Sequence, residues 1–204
     1  MRSYLVTVGP IATNCYLVYL EDERRLFIID PGADAPAILN EAARFPEAEK
    51  ADILLTHAHV DHISAAGEVA DALGIDTVML DPADWEIYRS PYNEILPFMP
   101  APEELPEVKD FETDGLFTVL GVPGHTPGGS AFFFDRGGCR GLFCGDTLFA
   151  GSVGRSDLPG GDHETLINSI KTQLLPLPRL TPVFPGHGGA TTIGRELVNN
   201  PYLK

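Results

Sequence analysis

The chain has 204 residues, 44% of them hydrophobic, and a formal net charge of −15. Its length and apolar content allow a sizeable core without disulfides, and its three cysteines, Cys15, Cys139 and Cys144, make a poor disulfide framework. The acidic surface repels phosphate and argues against nucleic acid and anionic membrane as partners. No apolar run reaches the roughly 18–20 residues of a membrane-spanning helix, and the N-terminus lacks a signal-peptide pattern; a cytoplasmic protein is expected.

The first 30 residues read as a β-meander. Residues 4–8, 14–20 and 26–29 are strand-like, and the last run stops at Asp30-Pro31-Gly32. Residues 35–45 carry apolar positions at helical spacing, with Pro36 in the first turn. The apolar run Ile53-Leu54-Leu55 predicts a buried strand that enters Thr56-His57-Ala58-His59-Val60-Asp61-His62. A helix over 63–73, a strand over 77–80 and a helix over 82–88 follow. Residues 91–108, rich in Pro and Glu, predict an exposed excursion. Strands are predicted at 116–122, 131–134, 142–144 and 183–184, with helices over 163–174 and 192–199. No composition shift marks a domain boundary, so one domain over residues 1–204 is expected. Two packed sheets with outer helices fit this mixture best.

Five of the six histidines stand just after a predicted strand, beside Gly, Pro or Asp. His57, His59 and His62 fall within six residues; His125 lies in Pro-Gly-His-Thr and His187 in Pro-Gly-His-Gly. Asp146 follows Gly145 in the same kind of place. In an extended loop, residues two apart point to one side, so His57 and His59 can share an ion, while Asp61 and His62 turn toward a second. Imidazole and carboxylate suit Zn, Fe or Mn, and the two oxygens of Asp146 can touch both ions. A lone histidine after a strand is more often a turn or surface residue, but the 57–62 cluster is hard to explain otherwise. Asp162 reads as a helix cap and His163 as an exposed first-turn residue, outside the site. Asp30 is either a turn-starting residue or a carboxylate that orients a ligand histidine, and the second reading is preferred. Cys144 reads as a small core residue.

The THAHVDH, PGHT, GDTLF and late PGHG segments together resemble the motif series of the metallo-β-lactamase superfamily, from Asp30 to His187. The resemblance implies an α+β fold, a four-layer αββα sandwich. It also implies two divalent metal ions, zinc first and iron or manganese as alternatives. By motif matching, His57, His59 and His125 hold one ion, Asp61, His62 and His187 the other, and Asp146 bridges. The stretch from Gly145 to Asp157 is similar to that of the hydroxyacylglutathione hydrolases (glyoxalase II), especially the short bacterial members. That likeness implies hydrolysis of a small-molecule thioester by water activated on the metal, with Asp61 and Asp146 steering its proton. Longer glyoxalase II enzymes have a C-terminal helical extension with basic glutathione contacts. Here Arg195 and Lys204 are the only cations after His187. Arg155 is the candidate contact for a substrate carboxylate, with an ion pair to Asp157 as its alternative role. The rival readings are a mononuclear iron persulfide dioxygenase using His57, His125 and Asp146, or a hydrolase of a lactone, lactam or phosphodiester. A non-catalytic binding module is the remaining one. The sequence sets no oligomeric state.

Overall fold

Residues 1–93 and 98–204 are described by the computed structural model of the chain. The chain folds as two units, Met1–Phe111 and Glu112–Lys204, each with its own sheet and core.

In the first unit, β1 (Arg2–Val8), β2 (Thr13–Leu20) and β3 (Arg25–Ile29) form the expected antiparallel meander. β1 is an edge strand with alternating exposure, whereas β2 and β3 are buried throughout. Past β3 the chain changes to parallel crossovers. Helix α1 (Ala35–Ala42) returns it to β4 (Lys50–Leu54), parallel to β3. Helices α2 (Val60–Ile63) and α3 (Ala66–Leu73) lead to β5 (Thr77–Met79). A 3-10 turn at Pro82–Asp84 and α4 (Trp85–Tyr88) precede β6 (Glu107–Lys109). The sheet runs β1-β2-β3-β4-β5-β6, and helical residues such as Ile38 and Val69 pack with Leu17, Ile28 and Ile53 in one core.

Two expectations are corrected here. The helix read over 63–73 begins earlier and breaks at Ser64-Ala65, where Ala65 donates its N–H to the Pro31 carbonyl at 2.9 Å. The excursion read over 91–108 lies partly outside the described residues, at 94–97. Its end, Glu107-Val108, is strand, because Val108 pairs with Val78 of β5; three residues are too short for a pattern of their own.

In the second unit, β7 (Thr118–Gly121), β8 (Ser130–Arg136) and β9 (Cys139–Gly145) form an antiparallel meander. A hairpin of β10 (Leu148–Phe149) and β11 (Ser152–Val153) follows. Helix α5 (His163–Ser169) is capped by Asp162, whose carboxylate accepts from the Thr165 N–H at 2.7 Å. It continues as a wider π turn over Ile170–Leu174, so the helix expected over 163–174 is present but unwinds in its last turn. Strand β12 (Pro182–Pro185) adds in parallel to β9, and β13 (Thr191–Thr192) and α6 (Ile193–Asn199) complete the unit. The sheet order is β13-β12-β9-β8-β7.

The buried Glu196 of α6 latches the hairpin. Its carboxylate accepts from the Gly151 N–H at 2.8 Å, from Asn200 Nδ2 at 2.9 Å and from Thr191 Oγ1 at 2.5 Å. Removing it takes this acceptor from all three donors, of which Asn200 Nδ2 keeps the Ser152 carbonyl at 2.9 Å. Glu196→Ala is expected to lower stability by about 3 kcal/mol, read as a lower urea midpoint with unchanged slope.

Candidate metal centre

In a parallel sheet, ligands collect at the carboxyl ends of the strands. Ile29 of β3 lies opposite Leu54 of β4, so the two strands end at one level. The segments that leave them, a loop after β3 and a loop running into α2 after β4, carry every predicted site residue of the first unit. Asp30 makes the junction. Its N–H donates to the Leu54 carbonyl at 3.1 Å. Its Oδ1 accepts from the Thr56 N–H at 2.7 Å and its Oδ2 from Thr56 Oγ1 at 2.6 Å. The same Oδ2 lies 2.9 Å from His62 Nδ1. Asp30 reaches this position with φ of 54°, in the left-handed region that Asp tolerates better than most residues.

The bond to Asp30 turns the other face of the His62 ring inward, with Nε2 3.2 Å from Asp61 Oδ2. Asp61 Oδ2 also accepts from the buried Thr13 hydroxyl at 3.0 Å. His57 sets Nδ1 3.0 Å from Thr56 Oγ1. The rings of His57 and His59 are 4.8 Å apart edge-on, and those of His57 and His62 4.2 Å. All of these side chains are buried. Ligand atoms of Asp30, His57 and His62 lie within 4.8 Å of one another. Both Asp30 oxygens are already engaged, by Thr56 and by His62.

The second unit repeats the device. Pro185 of β12 is in register with Gly145 of β9, and the Gly186 N–H donates to the Gly145 carbonyl at 2.8 Å. Asp146 and His187 therefore leave neighbouring parallel ends, with Asp146 Oδ2 3.6 Å from His187 Nε2. His125 comes from the turn between β7 and β8, anchored by α5: the Asp162 N–H donates to the Gly124 carbonyl and Ser169 Oγ to the Pro123 carbonyl, both at 2.8 Å. Its Nε2 lies 3.8 Å from the same Asp146 oxygen. Its Nδ1 donates to the Arg155 carbonyl at 2.6 Å, which fixes the tautomer with Nε2 as the lone-pair nitrogen.

Glycine matters at two close approaches. A Cβ at Gly32 would sit 1.7 Å from the Asp61 carbonyl oxygen, and one at Gly154 would sit 1.8 Å from that of Asp146. Each glycine lets another loop lie directly against the backbone of a predicted aspartate.

The Arg155 guanidinium is engaged by Asp157, Nε to Oδ1 at 2.8 Å and Nη2 to Oδ2 at 2.9 Å, the alternative role given above. This hydrogen bonding holds the Asp157 carboxyl down at about 2. His163 is an exposed first-turn residue and Cys144 is buried in the core, as read from sequence. Thr13 and Thr56 were not singled out. Thr56 adjoins the histidine motif; Thr13 carries no pattern that would have marked it.

The donor set fits divalent cations. It consists of imidazoles and carboxylates, without thiolates, buried except for the partly exposed Asp146 and His187.

A sequence profile described as the metallo-beta-lactamase superfamily matches residues 8–187. The chain is 35% identical to "Hydroxyacylglutathione hydrolase GloC" of Haemophilus influenzae, over 100% of this chain and 98% of that protein. Among solved structures it is similar to the BLEG-1 B3 metallo-beta-lactamase, with TM-score 0.87 and 36% identity over 100% of both chains. It is also similar to TTHA1623, solved in a di-iron-bound form, with TM-score 0.82 and 40% identity over 98% of this chain and 100% of that one. The fold is the expected α+β one of these proteins.

Gly32→Ala is expected to cost about 3 kcal/mol, because the added methyl meets backbone that cannot swing away; thermal unfolding of the purified variant reads the loss. The Asp157 carboxyl is expected to titrate near 2, followed by its carbonyl 13C shift. Its depressed value means the pair with Arg155 contributes fully above the ordinary Asp value of about 3.9, and the contribution is lost only as pH falls through 2.

Proposed function

This chain belongs to the metallo-beta-lactamase superfamily as a metal-dependent hydrolase, and from that premise we propose that it hydrolyses a small-molecule thioester of the hydroxyacylglutathione type. The observation that carries the reading is the full-length likeness to GloC, taken with histidine and aspartate at two sets of parallel strand ends.

We assign His57, His59 and His125 to one divalent cation, Asp61, His62 and His187 to a second, and Asp146 to both. Neither unit holds the whole set, and the family profile runs across both, so we infer that residues 1–204 work as one catalytic domain. Zinc is the proposed metal, and iron follows it because TTHA1623 was solved with two irons. When bound, such cations supply Lewis acidity for activating water and polarising a carbonyl.

The rest is the work of this chain's own groups. Asp30 and the Arg155 carbonyl hold Nδ1 of His62 and of His125, so each ring presents Nε2. Asp61 and Asp146 are the carboxylates assigned to steer the proton of the attacking water. A thiolate leaves without strong acid assistance, so the proposed reaction requires no dedicated general acid. The exposed Arg155 guanidinium is the cation proposed for a substrate carboxylate, in exchange with Asp157. Among the described residues no helix is long and apolar enough to cross a membrane. A second reading, hydrolysis of a β-lactam, is favoured by the 36% identity to BLEG-1 over the whole chain.

Lactoylglutathione hydrolysis by metal-replete protein tests the proposal. Turnover is expected, with chelation abolishing it and His59→Ala lowering kcat/KM about a hundredfold or more. Turnover of a chromogenic cephalosporin alone would favour the second reading. Oxygen consumption with glutathione persulfide, without thioester hydrolysis, would sink both.

A further inference from the structure

The two peptide units between His57 and His59 are each held from outside the motif. Ala58 is fully buried. Its N–H donates to Asp84 Oδ2 at 3.0 Å, and its carbonyl accepts from Asn93 Nδ2 at 2.7 Å. The two partners are buried and lie 26 and 35 residues further along the chain. Ala58 sits past the end of β4 and before α2, so neither bond belongs to a sheet or helix ladder. Asp84 is set by its 3-10 turn, where the Asp81 carboxylate caps the Ala83 N–H at 2.9 Å and the Asp84 N–H donates to the Asp81 carbonyl at 3.0 Å. Asn93 is set by the turn after α4, its N–H donating to the Ser90 carbonyl at 3.2 Å.

We propose that Asp84 and Asn93 are positioning residues for the metal centre: by holding the two peptide units that flank the Ala58 Cα, one each, they aim the imidazoles of His57 and His59. The inference rests on the assignment of those histidines as ligands. Each peptide unit is planar: the Ala58 N–H lies in the unit that contains the His57 Cα, and the Ala58 C=O in the unit that contains the His59 Cα. Each unit is thus restrained by one hydrogen bond, which orients the plane from which the neighbouring imidazole departs. An unclamped two-residue spacing would point both rings to one side without setting the angle between them. Ordering the loop before the metal arrives removes that cost from binding. A carboxylate on one side and an amide on the other is also the chemically matched pair: the acceptor meets the N–H, and the donor meets the C=O.

The test uses the full chain loaded with Co2+, with dissociation constants from chelator competition, the visible spectrum of the bound ion, and the unfolding midpoint of the metal-free protein. Asp84→Ala and Asn93→Ala are each expected to weaken Co2+ binding roughly ten- to a hundredfold and to alter the spectrum. Asp84→Asn, which can still offer an oxygen to the Ala58 N–H, is expected to bind near the wild-type value. Asn93→Asp, equal in size but lacking the donor, is expected to behave as Asn93→Ala, and it carries the test should an alanine variant not fold. Variants that lose metal-free stability yet keep wild-type affinity and spectrum overturn the inference and leave the metal assignment standing. Wild-type protein that takes up no Co2+ overturns the assignment itself.

Discussion

Two parallel strands that stop at the same level leave their last carbonyls and N–H groups facing the same space, and something must join them. In the first unit that something is the carboxylate of Asp30. It ties the end of β3 to the Thr56 amide after β4 and reaches on to a histidine eight residues beyond the strand. Buried, charge-assisted hydrogen bonds of this kind are strong because the surroundings are poorly polarisable. One side chain thus fixes the loop geometry and the face that His62 presents. The histidine cluster is a consequence of how the sheet ends rather than an addition to a finished scaffold.

The second unit solves the same problem with backbone. The Gly186 N–H closes onto the Gly145 carbonyl, and Asp146 and His187 follow directly from that closure. The path from Asp146 to Arg155 then doubles back. The Gly154 N–H donates to the Thr147 carbonyl at 3.1 Å, and the Arg155 carbonyl accepts a hydrogen bond from His125 Nδ1. Asp146 and His125, twenty-one residues apart in sequence, are therefore set by one short return of the chain. Glu196 matters because it holds the outer end of that return, at Gly151.

The sequence disclosed the parts whose chemistry is local. The meander of the first strands, the alternation of helix and strand after Asp30 and the histidine-bearing strand ends were legible because apolar runs stop abruptly at Gly, Pro and Asp; the parallel pairing of those later strands was not. Asp30 was legible only as one of two readings, because an aspartate at a strand end before Pro-Gly is also an ordinary turn-starting residue. Asp84 and Asn93 were not, since their meaning lies in contacts to a peptide 26 and 35 residues away, and nothing in their neighbours marks them. Thr13 was hidden for the same reason. The strand at Glu107–Lys109 escaped because its existence depends on β5 alone. The break at Ser64-Ala65 escaped because it depends on the Pro31 carbonyl.

The backbone of Asp30 adds a restriction of another kind. A left-handed torsion of 54° is comfortable for glycine and tolerable for asparagine and aspartate, but costs most other side chains about 1 kcal/mol or more. Glycine there would relax the chain and contribute no acceptor. Asparagine would turn an amide toward donors that already point inward. Conformation admits three residues and hydrogen bonding retains one, so evolutionary drift at this position is blocked from two independent directions.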